Sequence, residues 1–231
     1  MPKKLVTLIC LSLLSQTSIA AVGNSTNTVL NTFTNCDHTF FQHLAQTQDE
    51  IKDAVGVITT EEIGYIAPDK ENHTVQFKKP VTFNGLTLIG YQDIHVKTAL
   101  LGDYYYWGFV IQENMDTVKQ QLNTLQWQQY SSSAYVANTE ILDTQADSPT
   151  WAPNPYVIDG IAPRAHTVEK SLSLEKQPDG TSILSCSLQG DVSETVLAMY
   201  RPDLKLKQLQ FLQDIELTPE QNTTELLEEN S

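Results

Sequence analysis

Asn84-Gly85 is the feature that most constrains the fold of this chain, because it stands between two runs of strand-like residues. Asn-Gly is the strongest short-range signal for a two-residue β-hairpin loop, since both residues tolerate the positive φ that a type I′ turn requires. A loop of this length also sets the register, so that Phe83 faces Leu86 and Val81 faces Leu88. The sequence therefore predicts an antiparallel hairpin centred on this turn.

If this register continues without interruption, Val75 lies opposite Ile94, and the alternation separates an apolar face from a mostly polar outer face. The predicted apolar face consists of Val75, Phe77, Val81, Phe83, Leu86, Leu88, Ile94 and Val96. Asp93 and His95 are predicted to share the polar face because they are two residues apart on a strand. Pro80 cannot donate a backbone hydrogen bond, so it indicates an edge or an interruption of the sheet at its position.

An aromatic strand and a helix are predicted to follow the hairpin. Residues 104–111 are aromatic and β-branched, which favours a buried strand. Asn114 can then cap a helix that runs to about Gln129. Apolar residues at helical spacing form the stripe that would pack on the sheet: Met115, Val118, Leu122 and Leu125. Trp127 projects from the opposite side of that predicted helix.

The two ends of the chain differ in composition from its middle. Residues 1–20 combine a basic start, an apolar run and small residues at the end, which is typical of a secretory signal peptide. This predicts export to a periplasm or to the extracellular space. Residues 21–36 are rich in Asn, Thr and Ser and are predicted to form a mobile N-terminal arm. Residues 218–231 are predicted to form a fraying acidic C-terminal tail.

The charge of the chain limits its partners. Its formal net charge is −14 at pH 7, and loss of the predicted signal leaves 12 basic residues against 28 acidic ones, a net charge of −16. A charge of this sign argues against nucleic acid and anionic membrane surfaces as partners, and it allows a basic protein partner. No membrane span is predicted, because the apolar run near the start is too short to cross a bilayer as a mature helix.

Cys36 and Cys186 are the cysteines outside the predicted signal. An exported chain with an even number of cysteines most often pairs them, so a disulfide is predicted, with two buried free thiols as the alternative. A second hairpin is predicted from residues 167–176 and 181–188, and its register places Leu172 opposite Cys186 on the apolar face. The disulfide would then pin the start of the first helix to the sheet.

The order of elements predicts an α+β fold, with a mainly antiparallel sheet and two helices. The first helix is predicted to begin at Asp37 or Asn35 and to end near Val55. Further strands are predicted over residues 57–66, 134–142, 194–201 and 204–217. A single domain over residues 37–217 would hold these elements. Its halves, 37–113 and 114–217, are alternatively one helix-plus-four-strand meander used twice.

Asp93 and His95 are the candidates for catalysis, since a carboxylate that orients a histidine is an acid–base arrangement. The chain contains no Gly-x-Ser-x-Gly, His-Glu-x-x-His, phosphate-loop or dinucleotide-binding pattern. His38 and His43 are five residues apart and do not share a helix face, as a metal-binding pair would. The sequence therefore predicts neither a metal nor a cofactor. It favours a solvated strand face over a hydrolase centred on Asp93 and His95.

Aromatic residues are the stronger functional lead. Trp127, together with Trp151 and Tyr156 in the long proline-containing loop over residues 143–165, is typical of interface anchors. The alternative is that Trp127 packs beneath this loop. Three residues of the aromatic strand are predicted to line a small-ligand pocket between the helices and the sheet: Tyr104, Tyr106 and Trp107.

The main functional hypothesis is an exported protein that acts by binding. It would engage a basic protein partner, as an inhibitor or an envelope accessory factor, with the 143–165 loop and Trp127 in the interface. The alternatives are a periplasmic or secreted small-ligand-binding protein and a hydrolase at Asp93 and His95.

Overall fold

The computed structural model of the protein describes residues 26–60, 62–68, 72–160 and 162–216. Within these ranges the chain has the predicted α+β fold with a mainly antiparallel sheet. The predicted signal peptide over residues 1–20, the first part of the predicted arm and the predicted tail over residues 218–231 lie outside the described residues.

Eight of the described strands form one open sheet, and two short strands pair separately. The separate pair is β1 (Val57–Thr59) and β2 (Gly64–Ile66), where the sequence predicts one continuous strand. The large sheet consists of β3 (Thr74–Phe83), β4 (Leu86–Thr98), β5 (Gly102–Ile111), β6 (Gln128–Ser131), β7 (Ala134–Asp143), β8 (Trp151–Pro153), β9 (Thr167–Lys176) and β10 (Ser182–Gly190). Its order is β3-β4-β5-β10-β9-β7-β6, and β8 pairs with β7.

The predicted hairpin is confirmed near its turn, but its register changes further along. Phe83 pairs with Leu86, as predicted. Beyond a shift between Gln76 and Val81, Val75 pairs with Tyr91 instead of Ile94. The predicted register was therefore wrong at the far end of the hairpin.

The shifted segment includes Pro80, which has no N–H to donate. The nearby Lys78 N–H donates to the carbonyl of Ala54, outside the sheet, at 2.8 Å, so this part of β3 is bonded away from β4. Residues 77–80 therefore bulge opposite Ile89 of β4. The prediction that Pro80 marks an edge agrees with the position of β3 at one end of the sheet order.

A second irregularity, in the pairing of β4 with β5, exchanges the two faces of β4. Tyr91 pairs with Phe109 and is 1% exposed, so it faces the core. Asp93 and His95 follow on the same face, whereas Val96 lies on the opposite face and is 47% exposed. Their predicted assignment to the outer face was wrong because strict alternation assumes a strand without bulges.

The described ranges contain five α-helices, where the sequence predicts two. They are α1 (Thr26–Phe33), α2 (His38–Ile51), α3 (Met115–Gln121), α4 (Glu194–Tyr200) and α5 (Asp203–Glu216). The mobile arm predicted over residues 21–36 was wrong for Thr26–Phe33, which form α1 and bury Val29, Leu30 and Phe33 fully in the core. This segment is rich in Asn and Thr, but Val29, Leu30 and Phe33 form an apolar face at helical spacing.

Strands were wrongly predicted where α4 and α5 lie. Ser193 caps α4 by accepting a hydrogen bond from the Val196 N–H at 3.3 Å. The alternation Leu204-Lys205-Leu206-Lys207 resembles a strand, but Lys207 donates to Asp203 four residues earlier at 2.7 Å. An i,i+4 contact of this kind belongs to a helix.

Helix α3 begins as predicted and ends early. Asn114 caps it by accepting a hydrogen bond from the Thr117 N–H at 3.1 Å. Leu122 leaves the helical region, with φ −102° and ψ 44°, so the helix does not reach Gln129. The end of the predicted helix is instead strand β6.

The helices cover one face of the sheet, which we call the inner face; the opposite face is the outer face. Phe33 and Phe40 place their rings 5.0 and 5.8 Å from the ring of Phe109 on this inner face. The predicted disulfide between Cys36 and Cys186 is confirmed and joins the turn after α1 to β10, with the two Cα atoms 5.3 Å apart. Among the helices described, none combines the length and apolar composition needed to cross a membrane.

Candidate functional site

Much of the outer face of the sheet is polar, because most residues of one parity along β5, β10 and β9 are tyrosine, serine, glutamine and glutamate. Val110 and Ile183, which pair in the last row beside Glu175, are the apolar exceptions. Cross-strand pairing arranges these residues in rows, since Gln189 lies between Tyr104 on β5 and Glu169 on β9. The next row along the sheet is Tyr106, Ser187 and Ser171. Such direct neighbours on one face of a sheet can share contacts with a single ligand.

Hydrogen bonds between side chains hold the serines of this surface in place. The hydroxyls of Ser171 and Ser187 lie 2.9 Å apart. In the third row Gly108 has no side chain, and Gln92 of β4 reaches past it to donate to the Ser185 hydroxyl at 3.1 Å. A Cβ at position 108 would meet the Leu184 carbonyl oxygen at 2.2 Å, so glycine is required there. The middle of this surface, between Glu169 and Glu175, is therefore polar, uncharged and held in place by hydrogen bonds.

The hairpin of β6 and β7 and a 3₁₀ turn, Val157–Asp159, rise beside this floor and form a cleft of about 490 Å³. This volume lies within the range of small-molecule binding sites. The outer-face strands contribute Tyr104, Tyr106, Glu169, Ser171, Ser173, Glu175, Ser187 and Gln189 to its lining. The rising wall contributes Tyr130, Ser131, Ser133, Ala134, Val136, Val157, Gly160 and Ala162.

The lining of this cleft is acidic. It contains two carboxylates, Glu169 and Glu175, and no Lys or Arg. Burial raises the pKa of Glu169, and neither the side-chain hydrogen bond with Asn154 nor the attraction of the nearby Arg164 guanidinium cancels this effect. The ionised form of Glu169 therefore lacks full compensation inside the protein.

The carboxylates contribute to the raised pKa values of two tyrosines in the cleft. Burial and then the charge of Glu169 raise the pKa of Tyr104. Burial raises the pKa of Tyr106, and the neighbouring Tyr104, Glu175 and Tyr130 raise it further. Aromatic faces and carboxylates therefore lie close together in the cleft, an arrangement that suits a positively charged group.

The structure brings together two of the three residues predicted to line a pocket. Tyr104 and Tyr106 line the cleft, which lies on the outer face and not between the helices and the sheet. Trp107, one residue further along β5, points to the inner face and is fully buried, with the Arg201 guanidinium 4.6 Å from its ring centre. Adjacent residues of a strand cannot line one pocket because they face opposite ways.

The other predicted anchors are dispersed. Trp127 is half-buried and packs against the main hydrophobic core. Trp151 lies against Tyr200, with ring centres 5.3 Å apart, on the side of helix α4. Tyr156 is 63% exposed and borders a neighbouring hollow that shares Glu169 with the cleft. Only Tyr156 therefore lies near the cleft.

Asp93 and His95 have different partners in the structure. Asp93 accepts hydrogen bonds from the Arg201 guanidinium at 2.8 and 3.0 Å. The Nε2 atom of His95 lies 2.8 Å from Asp103 Oδ1, and its ring stacks on Tyr105 with the ring centres 4.3 Å apart. The structure therefore does not join Asp93 to His95 as an acid–base pair.

Glu169, Glu175 and Tyr130 were missed by the sequence analysis. The spacing of Glu169, Ser171, Ser173 and Glu175 on one predicted strand does signal a polar face. The two glutamates are joined to Tyr104 and Tyr106 by the pairing of β9 with β10 and of β10 with β5, and the second of these pairings spans more than eighty residues of chain at the tyrosines. Local patterns cannot reveal a contact of that kind.

The part of the chain that the structure describes contains no group of three or more His, Cys, Asp or Glu residues arranged to hold a metal ion. Comparisons with protein families, characterised proteins and solved structures found no match to this chain.

Proposed function

We propose that this protein is an exported binding protein that receives positively charged side chains of a basic protein partner in the outer-face cleft. The observation that carries this proposal is the composition of the cleft, whose lining contains three tyrosines and two glutamates and no basic residue. The predicted signal over residues 1–20 and the disulfide between Cys36 and Cys186 support export.

The physical reason is complementarity. A Lys or Arg side chain over a tyrosine ring gains about 0.5–2 kcal/mol, depending on how far it is desolvated. A charge-assisted hydrogen bond to a carboxylate contributes about 1.5–3 kcal/mol. Glu169 would gain in its ionised form the positive neighbour that the apo protein supplies incompletely. The net charge of −14 would also speed the approach of a basic partner at low salt.

A small cationic ligand is the second candidate. The observation that favours it is the cleft volume of about 490 Å³, which matches sites for small molecules. The same tyrosines and carboxylates would hold an amine, so the two candidates share their recognition chemistry and differ in the source of the charge.

The test is calorimetric titration of the purified protein with a Ser/Gly peptide, blocked at both ends, that carries lysines, and with the same peptide carrying glutamine instead. We expect binding of the lysine peptide alone, weakened by salt. Glu169→Gln should weaken it about tenfold or more, since one charge-assisted bond is lost. Tyr106→Leu should weaken it less.

The matched control is Glu62→Gln, which removes the same charge at an exposed position on the side of helix α2, away from the cleft. It should leave the affinity within about twofold, because an exposed charge contributes little to binding at a distant site. Equal weakening by Glu62→Gln and Glu169→Gln would mean that net charge alone attracts the peptide. That outcome would overturn the assignment of the cleft as the binding site.

A further inference from the structure

The two carboxylates of the cleft stand at fixed positions along one strand. Glu169 and Glu175 are six residues apart on β9, and an even separation places both on the outer face. At about 3.3 Å per residue their Cα atoms are roughly 20 Å apart. Ser171 and Ser173 occupy the positions between them, so the strand presents two charged ends and an uncharged middle.

The tyrosines of the floor lie toward its Glu169 end. Tyr104 shares a cross-strand row with Glu169, whose charge contributes to the raised pKa of Tyr104. Tyr106 lies one row further along and two rows short of Glu175, whose charge contributes to the raised pKa of Tyr106. One end of the floor therefore offers a carboxylate with an aromatic ring beside it, and the other end offers a second carboxylate for a second cation.

We propose that the cleft recognises two positive charges at once, carried at the ends of an extended ligand and separated by roughly 20 Å. In a protein partner these are two Lys or Arg side chains six positions apart on an extended segment that lies along β9. This inference rests on the proposed function and adds to it a spacing and a conformation of the ligand.

The separation of the two carboxylates favours an extended segment over a helix. Six positions of extended chain span roughly 20 Å, which matches the separation of Glu169 and Glu175 along β9. Six positions of an α-helix span only about 9 Å.

The test is a set of blocked Ser/Gly peptides of equal length with two lysines separated by two, four, six or eight positions, and a peptide with one lysine. Affinities are measured by calorimetry at constant salt. We expect the peptide with a separation of six to bind about tenfold to a hundredfold more tightly than the one-lysine peptide, because its second contact is intramolecular. The shortest separation should give little gain.

Variants connect the spacing to the two carboxylates. Glu169→Gln and Glu175→Gln should each reduce the six-position peptide to the affinity of the one-lysine peptide, and the double variant should abolish binding. Glu62→Gln should keep both the affinity and its dependence on spacing. Unfolding curves of every variant would establish that each is folded before its affinity is compared.

The outcomes separate this inference from the proposal on which it rests. If all two-lysine peptides bind equally and Glu169→Gln still weakens them, the cleft binds cations and the two-point spacing is overturned. If no lysine peptide binds more tightly than its glutamine control, both proposals fail. A linear diamine that binds more tightly than any peptide, with the same loss in both variants, would support two-point recognition and assign the charges to a small molecule.

Discussion

Arg201 is the most unusual residue in the interior of the protein. Its side chain is fully buried and pairs with Asp93 and Asp203, both nearly buried, while Lys207 completes the group by contacting both carboxylates. Burial alone would lower the pKa of Arg201, but the carboxylates of Asp203 and Asp93 outweigh it and raise the pKa well above its ordinary value. This cluster fixes helices α4 and α5 to β4.

Arg201→Met should lower the free energy of unfolding by about 3–5 kcal/mol, because it leaves two buried carboxylates with one remaining cation. Urea denaturation at pH 7 measures the change. Lys52→Met is the control, since Lys52 and its partner Asp49 are both largely exposed, and it should change stability by less than about 0.5 kcal/mol. A loss below about 1 kcal/mol in Arg201→Met would show that the cluster contributes little to the fold.

Glu169 illustrates the conflict between function and stability. Its pKa in the folded protein is raised above its ordinary value, mainly by burial. The unfolded chain therefore releases this proton at lower pH than the folded protein does. Stability falls as the pH rises from the unfolded pKa through the folded one, and the loss persists at neutral pH.

Glu169→Gln should therefore raise the Tm of the apo protein at pH 7 and leave it nearly unchanged at pH 3.5, where Glu169 is protonated in both states. Thermal unfolding monitored by circular dichroism at both pH values measures the difference. Glu62→Gln controls for the loss of one negative charge. A Tm that falls at pH 7 would mean that the ionised carboxylate stabilises the apo protein, and our account of its burial would be wrong.

At the scale of elements, the disulfide is the strongest link between the helical layer and the sheet. Cys36 and Cys186 are 150 residues apart, and they join the turn between α1 and α2 to the centre of β10. Cys186 lies opposite Trp107 on one side and Leu172 on the other, within the core. The bond therefore restricts a long loop of the unfolded chain.

Replacing both cysteines by alanine should lower the free energy of unfolding by about 3–5 kcal/mol, as expected for a crosslink that closes a loop of this length. Guanidinium denaturation of the variant, and of the wild type with and without a reductant, measures the loss. Reduction of the wild type should give a similar decrease. A stability that changes neither on reduction nor in the variant would contradict the crosslinking role.

Elements could be predicted where local signals agree, and were missed where tertiary contacts decide. The Asn84-Gly85 turn and the register of Cys186 against Leu172 were confirmed, because each depends on residues close to a tight turn. Helices α4 and α5 were missed because the buried contacts of Arg201 decide their packing, and these involve Asp93, more than a hundred residues away. Tyr104 and Tyr106 were predicted to line a pocket between the helices and the sheet, whereas the cleft that they line is on the outer face, formed by long-range strand pairing.

At the scale of the whole molecule, one sheet separates two different surfaces. Its inner face is covered by helices and crosslinked to them, and its outer face carries serines, tyrosines and carboxylates in a cleft. The part of the chain that ends with β5 and the part that begins with α3 meet where β5 pairs with β10. The first part contributes the three strands β3, β4 and β5 to the sheet. In the second part, α3 is followed by the meander β6, β7, β9 and β10.

The most direct test of the binding account is the location of the bound cation. Amide and side-chain NMR shifts of the isotope-labelled protein would be followed during titration with the peptide that carries two lysines six positions apart. We predict that the largest changes fall on the outer face, at Tyr104, Tyr106, Ser173 and Glu175, and that helix α2 is unaffected. Changes concentrated on the helical side, with the outer face unperturbed, would contradict the central claim that the cleft is the binding site.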